Sequence, residues 1–326
     1  MLVVLALATG PVPKGAAETM ARERGMLVPR AEGLAISTQV PRVWRVEQSE
    51  TNELYSNGLR IDRTYTVPNR PRAKFSIYAL NGSAAPIKTG ETPVGIVYHM
   101  SESLVAPFEE NQTRRLKQLG RNLLEVIRGE RAYHYVIDRF GRVYSVVAES
   151  DAANHAGNSI WSDAEGIYVN LNDSFLGVSF EGQTESSDEV TPAQINAARL
   201  LTEMLRSRYS IAAENCITHA QVSVNPANMR VGNHIDWAQN FPFAAVGLPN
   251  NYAIPLASVY VFGFKFDDAF LTATGGRWKG LDLAVAQLER QAAVDQTPVV
   301  RYRKILQRRY QDIAAVLKEQ AEGGSE

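Results

Sequence analysis

Val94-Gly-Ile-Val-Tyr98, followed at once by His99, is a short continuous apolar run that ends on a polar side chain. A run of this length without alternation is the pattern of a strand buried on both faces. A histidine at its end stands where the chain leaves the sheet and can meet a ligand. Working outward, residues 109–128 predict a helix, with Leu116, Leu119, Leu123, Val126 and Ile127 along one side and Gly129 suited to its end. Tyr133-His-Tyr-Val-Ile-Asp138 and Val143-Tyr-Ser-Val-Val147 predict a hairpin, joined by Arg139-Phe-Gly-Arg142 with Gly141 in the turn. Phe175 to Phe180 predicts a further strand. Thr191-Pro-Ala-Gln194 is a capping box with proline at the first helical position. It opens a helix whose buried face is Ile195, Ala198, Leu201, Leu205 and Tyr209. Helical zones between strands favour an α/β class, a mixed central sheet flanked by helices, over an all-β sandwich.

The chain has 326 residues, 45% apolar and 21% charged, the balance of a folded protein. With 34 basic and 35 acidic residues it lacks the broad positive field that would hold nucleic acid or an anionic membrane. The single cysteine, Cys216, cannot form an internal disulfide and reads as a small core residue rather than a nucleophile. Met1-Leu-Val-Val-Leu-Ala-Leu-Ala-Thr-Gly10 resembles the apolar part of a secretory signal without its positive start, and is too short to span a bilayer. Export to the periplasm or cell envelope is the expectation; a buried N-terminal strand is the other reading. No other segment is expected to cross a membrane.

Three zones follow. Residues 1–90 form an N-terminal extension, a signal-like start and an accessory β segment that includes Ala73-Lys-Phe-Ser-Ile-Tyr-Ala79. Residues 91–250 hold all five histidines. Residues 251–326 begin apolar at Val259-Tyr-Val-Phe-Gly263 and become a helical extension. Within it, residues 279–290 and 301–318 predict two amphipathic helices, the second striped by Ile305, Leu306, Tyr310, Ile313, Ala314 and Leu317. That stripe packs on the core or the other helix, or else makes an oligomer contact or docks a cell-envelope partner.

Of the histidines, His219 follows Ile217-Thr218 at the end of another short strand. His234 and Asp236 stand two apart in Gly232-Asn-His-Ile-Asp-Trp237. The spacing is not that of a metal-binding helix such as H-E-x-x-H, so the local pattern alone leaves a metal site open.

Five stretches, some of them quoted above, occur in order: Ile96-Val-Tyr-His-Met100, Ala132-Tyr-His-Tyr-Val-Ile-Asp138 with Gly141-Arg-Val-Tyr144, Asn154-His-Ala-Gly-Asn-Ser159, Asn172-Asp-Ser-Phe-Leu-Gly-Val-Ser-Phe-Glu-Gly182 and Thr191-Pro-Ala-Gln194. On these, the chain from about Val94 to Phe243 resembles the zinc N-acetylmuramoyl-L-alanine amidases. That superfamily is shared with phage lysozyme-type amidases and animal peptidoglycan recognition proteins.

The resemblance implies zinc-dependent hydrolysis of the amide between N-acetylmuramic acid and L-alanine, with peptidoglycan or a muropeptide as substrate. It implies His99 and His219 as zinc ligands. At the family's distance from His219 the chain offers only Asn225, Ala227 and Met229. After an insertion (Asn225-Pro-Ala-Asn-Met-Arg-Val231), Asp236 takes the place of the third ligand and His234 that of the group steadying the transition state. The exchange of those two roles stays open, and Trp237 stands where the family has proline. Three protein ligands leave zinc an open position, where water acidifies to a pKa of about 7.

Part of the family uses a glutamate where this chain has Ser179. Tyr133 and Glu181 are the candidates to replace it. Their plainer readings are a half-buried strand aromatic and a structural carboxylate. His155 and Asn158, in the H-A-G loop, are implied to contact glycan or peptide, while His134 alternates away from Tyr133 and reads as structural. The missing glutamate also allows a non-catalytic peptidoglycan-binding protein on the same fold; a structural protein with a relict fold is a third class.

Overall fold

The computed structural model describes residues 40–323 except Gly82, residues 185–189 and Arg277. The signal-like run at Met1–Gly10 lies outside the described residues.

Strands β1 (Arg45–Gln48), β2 (Asn52–Tyr55) and β3 (Arg60–Asp62) precede the hairpin of β4 (Phe75–Tyr78) and β5 (Pro86–Gly90). Then come β6 (Gly95–Met100), α1 (Thr113–Glu130), β7 (Tyr135–Ile137), β8 (Val143–Ser145), β9 (Ile160–Asp163), β10 (Gly166–Val169) and β11 (Phe175–Phe180). Helix α2 (Pro192–Tyr209), β12 (Cys216–Thr218) and the single turn α3 (His219–Val222) complete the part that builds the site. The main sheet runs β1-β2-β3-β8-β7-β11-β6-β12. Strands β7, β11, β6 and β12 are parallel to one another, while β8 is antiparallel to β7. The architecture is therefore the mixed sheet flanked by helices that the alternation of strands and helices predicts. Strands β1–β3 are not apart from it: β3 pairs with β8 and extends the same sheet.

Alternation along β6 and β11 sorts their side chains onto two faces. Ile96, Tyr98, Met100, Leu176, Val178 and Phe180 join one core with Ala198, Leu201 and Leu205 of α2. Cys216 belongs to that core and is fully buried. Val97 and Phe175 face the other way, into a second core with Trp161, Tyr168 and Phe75 from the small sheet β5-β4-β10-β9. His99 and Ser179 are register partners on this second face.

Helix α2 starts with the expected capping box, in which Thr191 Oγ1 accepts from the Gln194 amide at 3.1 Å. Its buried face is turned slightly from expectation: Ala197 and Met204 are buried, while Ile195 and Tyr209 are only partly so. Helix α1 also differs. Val126 is 62% exposed and Gly120 is buried instead, because the helix packs a narrow stripe against Val136, Tyr144 and Val146. Its end is set not by Gly129 but by Arg131, in the left-handed conformation at φ 51°.

Beyond the site come the short strands β13 (Val224–Asn225), β14 (Arg230–Val231) and β15 (Lys265–Phe266) and the helices α4 (Ala257–Tyr260), α5 (Asp268–Ala273), α6 (Lys279–Val294) and α7 (Val299–Gly323). Leu306, Tyr310 and Ile313 of α7 are buried, and Tyr310 meets Phe262 and Phe264 edge-on at 5.6 and 5.0 Å. The apolar stripe is thus covered by this chain's own aromatics, and its expected member Ile305 is 40% exposed. Internal packing, one of the two readings of the stripe, accounts for Leu306, Tyr310 and Ile313. No helix among the described residues is long and apolar enough to cross a membrane.

Candidate active site

His99 lies one residue before the carboxyl end of β6, and His219 directly follows β12, the neighbouring parallel strand. The ladder, with Thr218 opposite Tyr98, brings the two rings to a centroid distance of 4.4 Å. Carboxyl ends of adjacent parallel strands are where open α/β sheets gather ligands. Asp236 reaches them from the loop after β14. Its Oδ1 is 2.8 Å from His219 Nδ1 and its Oδ2 3.3 Å from His99 Nδ1. The backbone amide of Met100 also approaches Oδ2, at 3.4 Å.

Several contacts hold that loop in place. The Asp236 carbonyl accepts from the Ala220 amide in the first turn of α3. Trp237 takes a left-handed φ of 57° and sets its ring edge-on to Phe180 and Phe241, at 5.4 and 5.1 Å. The Tyr252 hydroxyl donates to the Trp237 carbonyl at 2.7 Å. Where the resembled family has proline, this chain uses an aromatic anchor and a strained backbone.

All three side chains are buried, and their candidate ligand atoms lie within 4.8 Å of one another. Burial and the neighbouring His219 push His99 down to about 4, so its ring is neutral at physiological pH. Burial would raise Asp236, but the His219 and His99 rings outweigh it and hold the carboxyl well below the usual carboxylate range. His219 Nε2 is buried with no hydrogen-bond partner among the described residues. A buried carboxylate between two imidazoles, with an unsatisfied ring nitrogen, fits the two-nitrogen, one-oxygen donor set that zinc takes. Zinc arms of about 2.0–2.1 Å place tetrahedral ligand atoms about 3.3 Å apart, close to the His99–Asp236 spacing.

Tyr133 stands beside this cluster, its ring 4.9 Å from that of His99. It precedes β7 rather than lying in it, and its φ of 57° turns it toward the site. A non-glycine residue there carries strain that the surrounding fold must offset, a pattern frequent at functional positions. Burial, then the Asp236 carboxylate, pushes the phenol up to about 12. The fully buried Ser179 hydroxyl is near enough to oppose that shift a little, yet closes no hydrogen bond. His234 stacks on His219 at 4.6 Å and 18°, and lies toward solvent. Burial and His219 both lower its pKa.

The structure does not bring the other candidates to the same point. Glu181 Oε2 accepts the Arg139 amide at 3.1 Å, and Gly120 of α1 lies against its carboxyl. No described hydrogen bond joins it to His99, His219, Asp236 or Tyr133. Alternation does place it on the face of Ser179, but two residues further along the strand, where the hairpin turn claims it. His155 is 8% exposed and packed behind His99, its Nδ1 3.2 Å from His99 Nε2. Asn158 is exposed and lines a cavity of about 280 Å³ with Val169, Pro226, Tyr310 and Leu317. His134 is fully buried: its Nδ1 accepts the Gly177 amide at 2.9 Å and its Nε2 faces the Asp151 carbonyl at 3.1 Å.

The family model described as N-acetylmuramoyl-L-alanine amidase matches residues 89–237, from β5 through Trp237. Over this segment, a little under half of its length, the chain is similar to the N-acetylmuramoyl-L-alanine amidases. A curated relative of the superfamily, N-acetylmuramoyl-L-alanine amidase AmiD of Escherichia coli strain K12, is 34% identical over 89 residues, which is 25% of this chain. The match spans about a third of that relative, 31% of its length. Among solved structures, a complex of E. coli AmiD with anhydro-N-acetylmuramic acid-L-Ala-D-gamma-Glu-L-Lys is similar at 21% identity. It covers 50% of this chain and 58% of that one, with a TM-score of 0.37. The amidase LysC from Clostridium intestinale is similar at 20% identity, covering 57% of this chain and 93% of its own, with a TM-score of 0.32. The amidase segment so defined contains His99, Tyr133, His219, His234 and Asp236.

Proposed function

We propose that this chain is a zinc-dependent N-acetylmuramoyl-L-alanine amidase, with His99, His219 and Asp236 as metal ligands and peptidoglycan or a muropeptide as substrate. The observation that carries this reading is the buried convergence of those three side chains at the ends of β6 and β12. When bound, zinc supplies a Lewis acid that acidifies water and polarises a carbonyl.

The chain's own residues divide the remaining work. Tyr133 keeps its proton at neutral pH and acts as a hydrogen-bond donor to the oxygen that gains charge as the amide is attacked. That is a donor's role, and a phenol raised to about 12 is a poor base. His234, on the solvent side of His219 and neutral near pH 7, has a free ring nitrogen to take a proton from water and return it to the departing L-alanine nitrogen. Burial of His99, His219 and Asp236 keeps bulk water from competing with these contacts. A cell-wall substrate agrees with the export expectation.

Elemental analysis of the purified chain, paired with release of L-Ala peptides from peptidoglycan before and after chelation, tests the proposal. The expected result is about one zinc per chain, with release abolished by chelator. Zinc without release would favour a peptidoglycan-binding protein instead, the reading that Ser179 motivates. Absence of both zinc and release would reject the enzyme.

A further inference from the structure

His99 is met from behind by a second imidazole. His155 Nδ1 lies 3.2 Å from His99 Nε2, and His155 Nε2 lies 3.3 Å from the Phe175 carbonyl. A carbonyl only accepts, so His155 Nε2 carries that ring's proton. A neutral imidazole has one N–H, which leaves His155 Nδ1 as an acceptor. His99 must then carry its own proton on Nε2, donated to His155. Its remaining lone pair, on Nδ1, faces Asp236 Oδ2 at 3.3 Å. Two lone-pair atoms facing across that gap repel unless a cation lies beside them.

The seat of His155 is built for this contact. Its amide and that of Ala156 both donate to Asn172 Oδ1, at 3.1 and 2.8 Å, which fixes the loop. Its ring lies on Gly177 of β11, where a Cβ would come within 2.6 Å of the imidazole Cγ. A strand position without a side chain is what lets the ring slide in behind His99.

We propose that His155 is a positioning residue: through the relay Phe175 carbonyl–His155–His99 it locks the His99 tautomer that presents Nδ1 to the metal, and so sets zinc affinity. The proposal rests on the metal site proposed above. It replaces the substrate contact that the H-A-G resemblance implies for His155. Partners that orient a ligating histidine from behind contribute about 10–100-fold to metal affinity.

The test uses the full chain with three variants. His155→Leu removes both ring nitrogens, His155→Gln keeps one acceptor and one donor, and Gly177→Ala pushes the ring from the far side. Zinc affinity is read by chelator competition, ligand geometry by the visible spectrum of the cobalt-loaded protein, and the fold by melting of each metal-free form. His155→Leu and Gly177→Ala are expected to weaken zinc binding about 10–100-fold and to alter the cobalt spectrum, with His155→Gln close to the parent chain. A folded His155→Leu that binds zinc as tightly as the parent chain overturns the proposal. Should that variant fail to fold, Gly177→Ala decides: unchanged affinity there overturns it too. A parent chain that takes up no zinc removes the metal site itself, and the relay with it.

Discussion

Asp236 divides its carboxylate between two histidines, with Oδ1 2.8 Å from His219 Nδ1 and Oδ2 3.3 Å from His99 Nδ1. No other carboxylate among the described residues shares a metal-competent group with these rings. Asp236→Ala is therefore expected to reduce bound zinc below about a tenth per chain. His234→Ala should keep the zinc and lower kcat by about 100-fold or more, as loss of a general base does. Metal analysis of the two variants decides between the roles. Zinc lost from His234→Ala and kept in Asp236→Ala would exchange them.

Tyr133→Phe removes only the phenol oxygen and leaves the ring against His99. A lost donor to a developing oxyanion costs about 100-fold or more in kcat. That loss is expected with zinc content unchanged. A variant as fast as the parent would leave Tyr133 as a packing residue.

Glu181 serves the hairpin turn. Glu181→Gln keeps an acceptor for the Arg139 amide, so kcat should stay within about threefold. Glu181→Ala removes that buried acceptor and should cost about 1–3 kcal/mol in denaturant unfolding. A hundredfold loss of kcat in the Gln variant would return Glu181 to the proton path.

Acid should destabilise the fold through His134. Burial and the nearby Arg72 guanidinium push its pKa down to about 3, below the free value of about 6.5. The unfolded chain therefore binds the extra proton. The stability His134 contributes is complete above about pH 6.5 and is lost as pH falls toward 3, at up to about 1.4 kcal/mol per unit. His134→Gln can keep both hydrogen bonds without titrating. Between pH 7 and 5 the parent chain should lose about 2 kcal/mol more than this variant in urea unfolding. Equal losses would contradict the assignment.

The local elements were legible because their signals are local. The unbroken run before His99, the Thr191 box and the turn at Gly141 each carry their own physical reason. What could not be read depended on distant packing. Val126 has the right period for the buried side of α1, but the sheet meets a narrower stripe. The exit of α1 at Arg131 needs no glycine, because the Arg131 amide returns to the Ile127 and Arg128 carbonyls. Glu181 shares a face with Ser179 by alternation, yet only the folded hairpin shows the Arg139 amide holding it. For His155 a signal existed in Gly177: a glycine inside a buried strand marks a place where something approaches closely. Which residue approaches is a tertiary fact, and the sequence alone does not name it.

The two imidazoles and the carboxylate reach the centre by different means. His99 and His219 are fixed by the hydrogen-bond ladder between neighbouring strands, while Asp236 arrives on a loop anchored by Trp237. A change in the number of residues between β12 and Trp237 leaves the histidine pair untouched as long as the tryptophan still reaches its socket beside Phe180. The candidate site is thus tolerant of length variation on one side and intolerant on the other, so the loop there can change in length without separating the two imidazoles.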